Sequence, residues 1–191
     1  MPSNLSAADA RAQLAQLITA EAVVHEHVTL ASGIEADYYL DLRRVSLDAR
    51  SAPLIGAVML DLLEQNGFAG RFQSVGGLTM GADPVGTAIM HQSVARGTPV
   101  DAFVVRKTEK THGLSKRVEG PDVNGRKVVA VEDTSTTGGS VLTAVEALRA
   151  AGADVVAVAV IVDRDTGAKE RVEAEGLPYL AAFSLSDLGL A

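Results

Sequence analysis

Residues 128–140 read VVAVEDTSTTGGS, in which a short apolar run leads into two adjacent carboxylates and then into seven residues that carry only hydroxyl groups or glycine. The apolar run predicts a buried strand over residues 127–131, and the apolar spacing of residues 139–151 predicts a helix. Glycines permit a tight turn, and the first N–H groups of a helix can bind an anion. The stretch therefore predicts a strand, an anion-binding turn and a helix, which is the repeating unit of an α/β fold.

The rest of the chain continues this alternation. Apolar or β-branched runs predict strands at residues 72–75, 100–105, 155–162 and 179–183, and helical spacing predicts helices at 51–66, 83–95 and 166–175. Strands that alternate with helices predict an open, doubly wound, mainly parallel sheet flanked by helices. Ligands of such sheets bind at the carboxyl ends of the strands. One long irregular segment, residues 107–125, separates two core strands.

The N-terminal part of the chain has a different pattern. Ser6 and Asp9 resemble a capping box, and the apolar spacing that follows extends a first helix to about Val24. Residues 28–30 and 38–42 predict two short strands joined by a turn at residues 32–33. A length of 191 residues is typical of one domain, so we expect a single unit over residues 1–191.

Composition and charge exclude several classes of protein. The chain has no cysteine, which excludes disulfides and thiolate chemistry. A formal net charge of -7 argues against nucleic-acid binding, which requires clustered basic residues. The N-terminus lacks the pattern of a signal peptide and no run of about 18 apolar residues occurs, so we expect a cytoplasmic protein without a membrane partner.

The acid pair and the loop after it predict a ligand that has both hydroxyl and phosphate groups. Glu132 and Asp133 can accept hydrogen bonds from vicinal sugar hydroxyls, while the residues 134–140 can surround a phosphate. A phosphorylated sugar fits both. The alternative is an ordinary strand-to-helix turn with capping residues. Neither a GxxxxGK[ST] loop nor a GxGxxG motif is present, so a P-loop and a dinucleotide fold are disfavoured.

Three further segments follow predicted strands. Arg106, Lys107, Lys110 and His112 form a basic cluster that could stabilise a departing diphosphate, or could be a solvated surface loop. The run 76–84 is either a second anion-contacting turn or a tight connection. Arg164 could hold a carboxylate with its planar guanidinium, or could pair with Asp163 or Asp165.

Five segments together resemble the type I phosphoribosyltransferases, and their order and spacing resemble the orotate phosphoribosyltransferases in particular. They are VTLASGIEADYYLDLR at 28–43, VGGLTMGADPVGTAI at 75–89, FVVRKTEKTHG at 103–113, the run at 128–140, and VDR at 162–164. The resemblance implies a type I phosphoribosyltransferase fold with a small N-terminal hood over about residues 1–45 and an α/β core over about 46–191. It also implies transfer of ribose 5-phosphate from phosphoribosyl pyrophosphate to orotate.

The resemblance further implies partners and a cofactor. We expect Mg²⁺ held mainly by substrate oxygens and water, with no direct protein ligand, because Mg²⁺ at phosphate sites keeps much of its hydration.

We also expect a homodimer in which the mobile loop 107–125 reaches the neighbouring active site. The remaining alternatives are a purine or uracil phosphoribosyltransferase and a non-enzymatic, nucleotide-sensing regulator on the same fold.

Residue roles follow from the matched motifs. Lys110, Glu132 and Asp133 are the expected catalytic residues, with Lys110 on the mobile loop. The residues expected to bind phosphoribosyl pyrophosphate are Arg106, Lys107, Lys110, His112, Glu132, Asp133, Thr134, Ser135, Thr136, Thr137, Gly138, Gly139 and Ser140. Thr136 and Arg164 are expected to bind orotate. Ala31 stands where many relatives have lysine, so orotate binding is expected to use Arg164, Thr136 and backbone groups of 32–39, or another cation such as Arg43 or Arg44. Met80 lies near the place where some relatives have a lysine, so no charged diphosphate contact is expected from the turn at 76–84.

Overall fold

The computed structural model describes residues 5–24, 28–29, 35–36, 38–108 and 116–191. The helices are α1 (Ala7–Leu17), α2 (Arg43–Ser46), α3 (Ala52–Gln65), α4 (Ala82–Ala95), α5 (Gly139–Ala150) and α6 (Ala168–Glu173), with a π-helical turn at Ile18–Ala22 and a 3₁₀ turn at Ser186–Leu188. The strands are β1 (Val23–Val24), β2 (Val28–Thr29), β3 (Glu35–Ala36), β4 (Tyr39–Leu40), β5 (Ser74–Leu78), β6 (Asp101–Val105), β7 (Val118–Glu119), β8 (Lys127–Ser135), β9 (Asp154–Asp163) and β10 (Tyr179–Ser184).

A six-stranded sheet forms the centre of the molecule, in the order β10-β9-β8-β5-β6-β7. Its strands pair in parallel except for the edge strand β7, which is antiparallel to β6. One face packs with α1, α3 and α4 around side chains such as Val75 and Ile161, and the other with α5 and α6 around side chains such as Val128 and Val160. The predicted doubly wound α/β fold is confirmed.

The strand order reverses between β5 and β8. From β5 the chain moves outward to β6 and β7, and then returns to the other side of β5 with β8, β9 and β10. The carboxyl ends of β5 and β8 therefore border a crevice between oppositely directed connections, which is where ligands bind in open α/β sheets. The turn 79–81 and the acid pair Glu132–Asp133 lie at this crevice.

Two strands extend beyond their predicted ends. β8 runs through the acid pair to Ser135, because it stays paired with β9 as far as Thr134↔Val162 and Ser135↔Asp163. β5 begins at Ser74 and includes Gly76 and Gly77, which were expected in a turn. In both cases pairing with a neighbouring strand overrides the weak strand propensity of acidic residues and glycine.

The N-terminal region confirms the first helix and corrects the pairing of the short strands. Ser6 caps α1 and accepts a 3.2 Å hydrogen bond from the Asp9 N–H. β2 pairs with β3, whereas β4 pairs with β1, so the strands predicted at 28–30 and 38–42 are not partners of each other. Residues 32–33 of the predicted turn lie outside the described residues. Within the segment 107–125, expected to be irregular, residues 118–119 form β7.

No helix among the described residues is a recognisable membrane span. None has the length and apolar character that crossing a bilayer requires.

Candidate active site

The acid pair lies in the last part of β8, at the crevice between β8 and β5. The Asp133 carboxylate accepts a 2.7 Å hydrogen bond from the Thr134 N–H. A Cβ atom on Gly81 would lie 2.5 Å from the Asp133 Oδ1, so only glycine allows the turn 79–81 to pack this closely. The two connections of the crevice therefore meet at the Asp133 carboxylate.

Burial and mutual repulsion make the two carboxyl groups weaker acids than usual. Burial raises the pKa of Glu132 to about 7, the charge of Asp133 adds to this, and Ser140 and Ser135 oppose it. Burial also raises the pKa of Asp133, while the Thr134 N–H and the Arg43 charge act in the opposite direction. A pair of carboxylates in this setting gains from a ligand that donates hydrogen bonds, as vicinal hydroxyls do.

The loop between β8 and α5 has a geometry that suits an anion. Gly138 has φ 73°, a left-handed conformation that favours glycine, and it directly precedes α5. Among the described residues, no hydrogen bond uses the backbone N–H groups of residues 137–140. The carbonyl groups of Thr136 and Thr137 accept from Thr166 and Arg171 respectively. The carbonyl groups of the loop thus point to the α6 region. The N–H groups of residues 137–140 stay available at the N-terminus of α5, where an anion can bind.

The residues of the predicted phosphate cradle, 134–140, are divided between the end of β8, the loop after it and the start of α5. Thr134 and Ser135 belong to β8, and Ser135 is fully buried. The hydroxyl oxygen of Thr134 is buried without a hydrogen-bond partner in the described part of the chain. Thr134, Thr136 and Gly139 are half-buried, Thr137 and Ser140 are exposed, and Gly138 is buried.

The turn after β5 differs from the prediction for residues 76–84. Gly76 and Gly77 lie within the strand, where a Cβ atom would collide with the carbonyls of Phe103 and Val131 respectively, so they serve sheet packing. The turn itself consists of residues 79–81. Thr79 Oγ1 donates a 2.8 Å hydrogen bond to Asp83 Oδ2, and the Met80 side chain is exposed.

Two members of the basic cluster are described, and both follow β6 at the same edge of the sheet. Arg106 lies 3.5 Å from Glu119 in an exposed ion pair, and its backbone N–H donates to the Arg117 carbonyl. Lys107 is exposed. Lys110 and His112 lie outside the described residues.

Arg164 and Thr136 are brought together at the ends of β9 and β8. The Arg164 N–H donates to the Ser135 carbonyl at 3.0 Å, next to Thr136. The Arg164 guanidinium lies 5.9 Å from the centre of the Tyr38 ring. The Asp163 carboxylate accepts from the Asp165 N–H, and no carboxylate in the described ranges forms an ion pair with Arg164. The surface ion pair considered as the alternative for Arg164 is therefore not formed there.

Arg43 is a further cation at the crevice, which the sequence suggested only as an alternative orotate contact. Its Nε donates to Asp41 at 2.7 Å, and its charge lowers the pKa of Asp133. With Met80 and Asp83 it lines a cavity of about 750 Å³. Its link to Asp133 connects residues 90 positions apart, so no local pattern could have revealed it.

Comparison with known proteins identifies relatives over nearly the whole chain. Residues 76–175 match the family model of the phosphoribosyl transferase domain. The orotate phosphoribosyltransferase of Streptomyces coelicolor is 61% identical over 183 residues, covering 95% of this chain and 98% of that protein. That of Corynebacterium glutamicum is 57% identical over 190 residues, covering 100% of both. The crystal structure of the Mycobacterium tuberculosis orotate phosphoribosyltransferase with 5-phospho-α-D-ribosyl 1-diphosphate superposes with a TM-score of 0.80, at 51% identity over 95% of this chain and 99% of that one.

Proposed function

The chain belongs to the orotate phosphoribosyltransferase family, and we propose from this premise how its residues carry out the reaction. The enzyme transfers ribose 5-phosphate from phosphoribosyl pyrophosphate to orotate. The bond between C1' and the diphosphate oxygen breaks, and a bond from C1' to a ring nitrogen of orotate forms. The products are orotidine 5'-monophosphate, a precursor in UMP biosynthesis, and diphosphate.

One observation supports these roles more than any other. A half-buried acid pair at the end of β8 precedes a loop with free backbone N–H groups, and both lie at the point where the strand order reverses. In the proposal, Glu132 and Asp133 accept hydrogen bonds from the ribose hydroxyls, and residues 136–140 bind the 5'-phosphate. Positive charge that builds on the ribose ring as the C1'–O bond breaks is stabilised by the nearby carboxylates.

Orotate is proposed to bind beside this loop, through Arg164 and Thr136. A guanidinium that forms no ion pair with a described carboxylate can hold the orotate carboxylate with two parallel hydrogen bonds. The backbone hydrogen bond from Arg164 to Ser135 keeps the two proposed orotate contacts, Arg164 and Thr136, next to the phosphate loop.

The diphosphate is proposed to lie between the turn 79–81 and the basic cluster Arg106, Lys107, Lys110 and His112. Bound Mg²⁺ would neutralise the charge that develops on the diphosphate. We propose that the ion is held by substrate oxygens and water, because Mg²⁺ at phosphate sites keeps much of its hydration. We further propose a cytoplasmic homodimer in which residues 1–45 form a hood and the loop 107–125 reaches the neighbouring site.

A parallel substrate assay tests the substrate assignment. Orotate, uracil, hypoxanthine and adenine are each supplied with phosphoribosyl pyrophosphate and Mg²⁺, and consumption is followed by absorbance. We expect conversion of orotate alone, since only orotate carries the carboxylate that Arg164 is placed to bind. Conversion of uracil or a purine without orotate would assign the chain to the other branches of the family.

A further inference from the structure

The C-terminal end of the chain contacts an aromatic residue of the active site. The Tyr38 hydroxyl donates a 3.2 Å hydrogen bond to the carbonyl of Leu190, which is 152 positions away and one residue from the C-terminus. The ring of the same tyrosine lies 5.9 Å from the Arg164 guanidinium, within the range of a cation–π contact. Tyr38 therefore joins the last residues of the chain to the proposed orotate contact.

The C-terminal segment, whose Leu190 carbonyl accepts the hydrogen bond from Tyr38, is itself fixed to the core. The Leu190 N–H donates to the Leu185 carbonyl at 2.9 Å, and both leucines pack against the main hydrophobic cluster. Asp187 accepts from the Ser184 N–H at 2.9 Å, so the end of β10 and the 3₁₀ turn are closed on each other. The acceptor for Tyr38 thus has a defined position.

A contact from α1 adds to this arrangement. Arg11 lies 3.4 Å from Asp187, donates to the Ala182 carbonyl, and places its guanidinium 4.3 Å from the centre of the Phe183 ring. The N-terminal helix and the C-terminal segment are therefore held together on the side of the sheet where β10 ends.

Arg164 has little else to fix its side chain. Its backbone is held by Ser135, the guanidinium makes no ion pair with a described carboxylate, and the Tyr38 ring lies within cation–π distance of it. A long side chain without fixed contacts loses rotamer freedom when it binds a ligand, and this weakens binding.

We propose that Tyr38 is a positioning residue for Arg164, and that the carbonyl of Leu190 sets the position of Tyr38, so that the C-terminal segment contributes to orotate affinity. This inference rests on the proposed role of Arg164 in orotate binding. The substrate phosphoribosyl pyrophosphate binds away from Arg164 in the same proposal, so its KM does not depend on Tyr38.

The test compares Tyr38→Phe with a chain shortened by Leu190 and Ala191. Tyr38→Phe keeps the ring and removes the donor, and the shortened chain removes the acceptor. We expect each to raise the KM for orotate about three- to tenfold, the loss associated with one hydrogen bond, with kcat and the KM for phosphoribosyl pyrophosphate within about twofold of wild type. Combining the two changes should raise the KM no further, because both remove the same bond.

Ala191→Gly is the matched control, since it keeps the Leu190 peptide carbonyl that accepts from Tyr38 and should leave the KM for orotate unchanged. An unchanged KM for orotate in Tyr38→Phe overturns the inference. So does a combined variant in which the increases caused by Tyr38→Phe and by the shortened chain multiply. Tyr38→Phe decides the outcome even where the shortened chain unfolds. Arg164→Ala separates the failure of this inference from the failure of the proposed function. If Arg164→Ala leaves the KM for orotate unchanged, the proposed role of Arg164 is wrong. If Arg164→Ala raises that KM but Tyr38→Phe does not, only the role of Tyr38 is overturned.

Discussion

At the scale of single residues, Glu132 combines a proposed catalytic role with a cost in stability. Its carboxyl group is flanked by Asp133 and largely shielded from water, and its pKa is raised from 4.5 to about 7. Groups at functional sites commonly show this combination of burial and like charge. A neutral side chain of the same shape should therefore stabilise the protein while weakening its interaction with the ribose.

The sign of the pH dependence follows from linkage. Between pH of about 4.5 and 7 the folded state binds more protons at Glu132 than the unfolded state, so this group lowers the free energy of unfolding as pH rises, and its full penalty is present above pH of about 7. We expect Glu132→Gln to raise the free energy of unfolding by about 1–2 kcal/mol at high pH, with the difference largely lost near pH of about 5. Urea unfolding at the two pH values measures this.

The same substitution should lower kcat/KM on the order of 10- to 100-fold, because a charged hydrogen-bond acceptor for the ribose is lost. Glu146→Gln, an exposed change on α5, is the control and should alter neither quantity. A Glu132→Gln variant that is less stable than wild type at high pH would show that the ionised Glu132 carboxylate does not destabilise the folded protein.

At the scale of elements, the phosphate loop depends on the conformation of Gly138. Its φ of 73° starts α5, and a Cβ atom there would lie 3.4 Å from the Ala168 carbonyl oxygen. Alanine in this conformation costs about 1–2 kcal/mol, and relief of the strain would move the N–H groups of the loop. We expect Gly138→Ala to raise the KM for phosphoribosyl pyrophosphate at least about tenfold, as measured by initial rates.

Gly167→Ala is a matched control for this prediction. Gly167 has φ 91° and directly precedes α6, but no atom lies within 4 Å of the added Cβ. It should lose similar stability in thermal unfolding while keeping the wild-type KM. Equal effects of the two substitutions on the KM would show that the change acts through general stability rather than through the phosphate loop.

The order of these elements was predictable from the sequence, whereas their ends at the site were not. Apolar runs and helical spacing identified all five parallel strands, because burial on both faces of a sheet leaves a strong local signal. The extension of β8 to Ser135 depends on pairing with Asp163 of β9, and the role of Gly77 depends on the approach of Val131. The contact between Tyr38 and Leu190 has the same origin, since it joins the two ends of the chain.

At the scale of the whole molecule, the crevice accounts for the acid pair, the phosphate loop and the turn 79–81 within one subunit. The basic cluster follows β6, and Lys110 belongs to the loop that we propose to reach the neighbouring site. A site built in this way requires two subunits, and a closed homodimer contains two such sites. Lys110→Ala should lower kcat strongly with little change in the KM values. Lys116→Ala changes an exposed lysine later in the same loop and should leave kcat unchanged.

Mixing inactive subunits tests the shared site directly. Lys110→Ala removes the loop residue and Asp133→Asn removes the acid, so a mixed dimer has one site with both changes and one with neither. After unfolding and refolding of an equal mixture, half of the dimers are mixed and about one quarter of wild-type activity should return. Lys110→Ala refolded alone is the control and should stay inactive. If the loop instead served its own subunit, every site in the mixture would carry one of the two changes, and no activity would return.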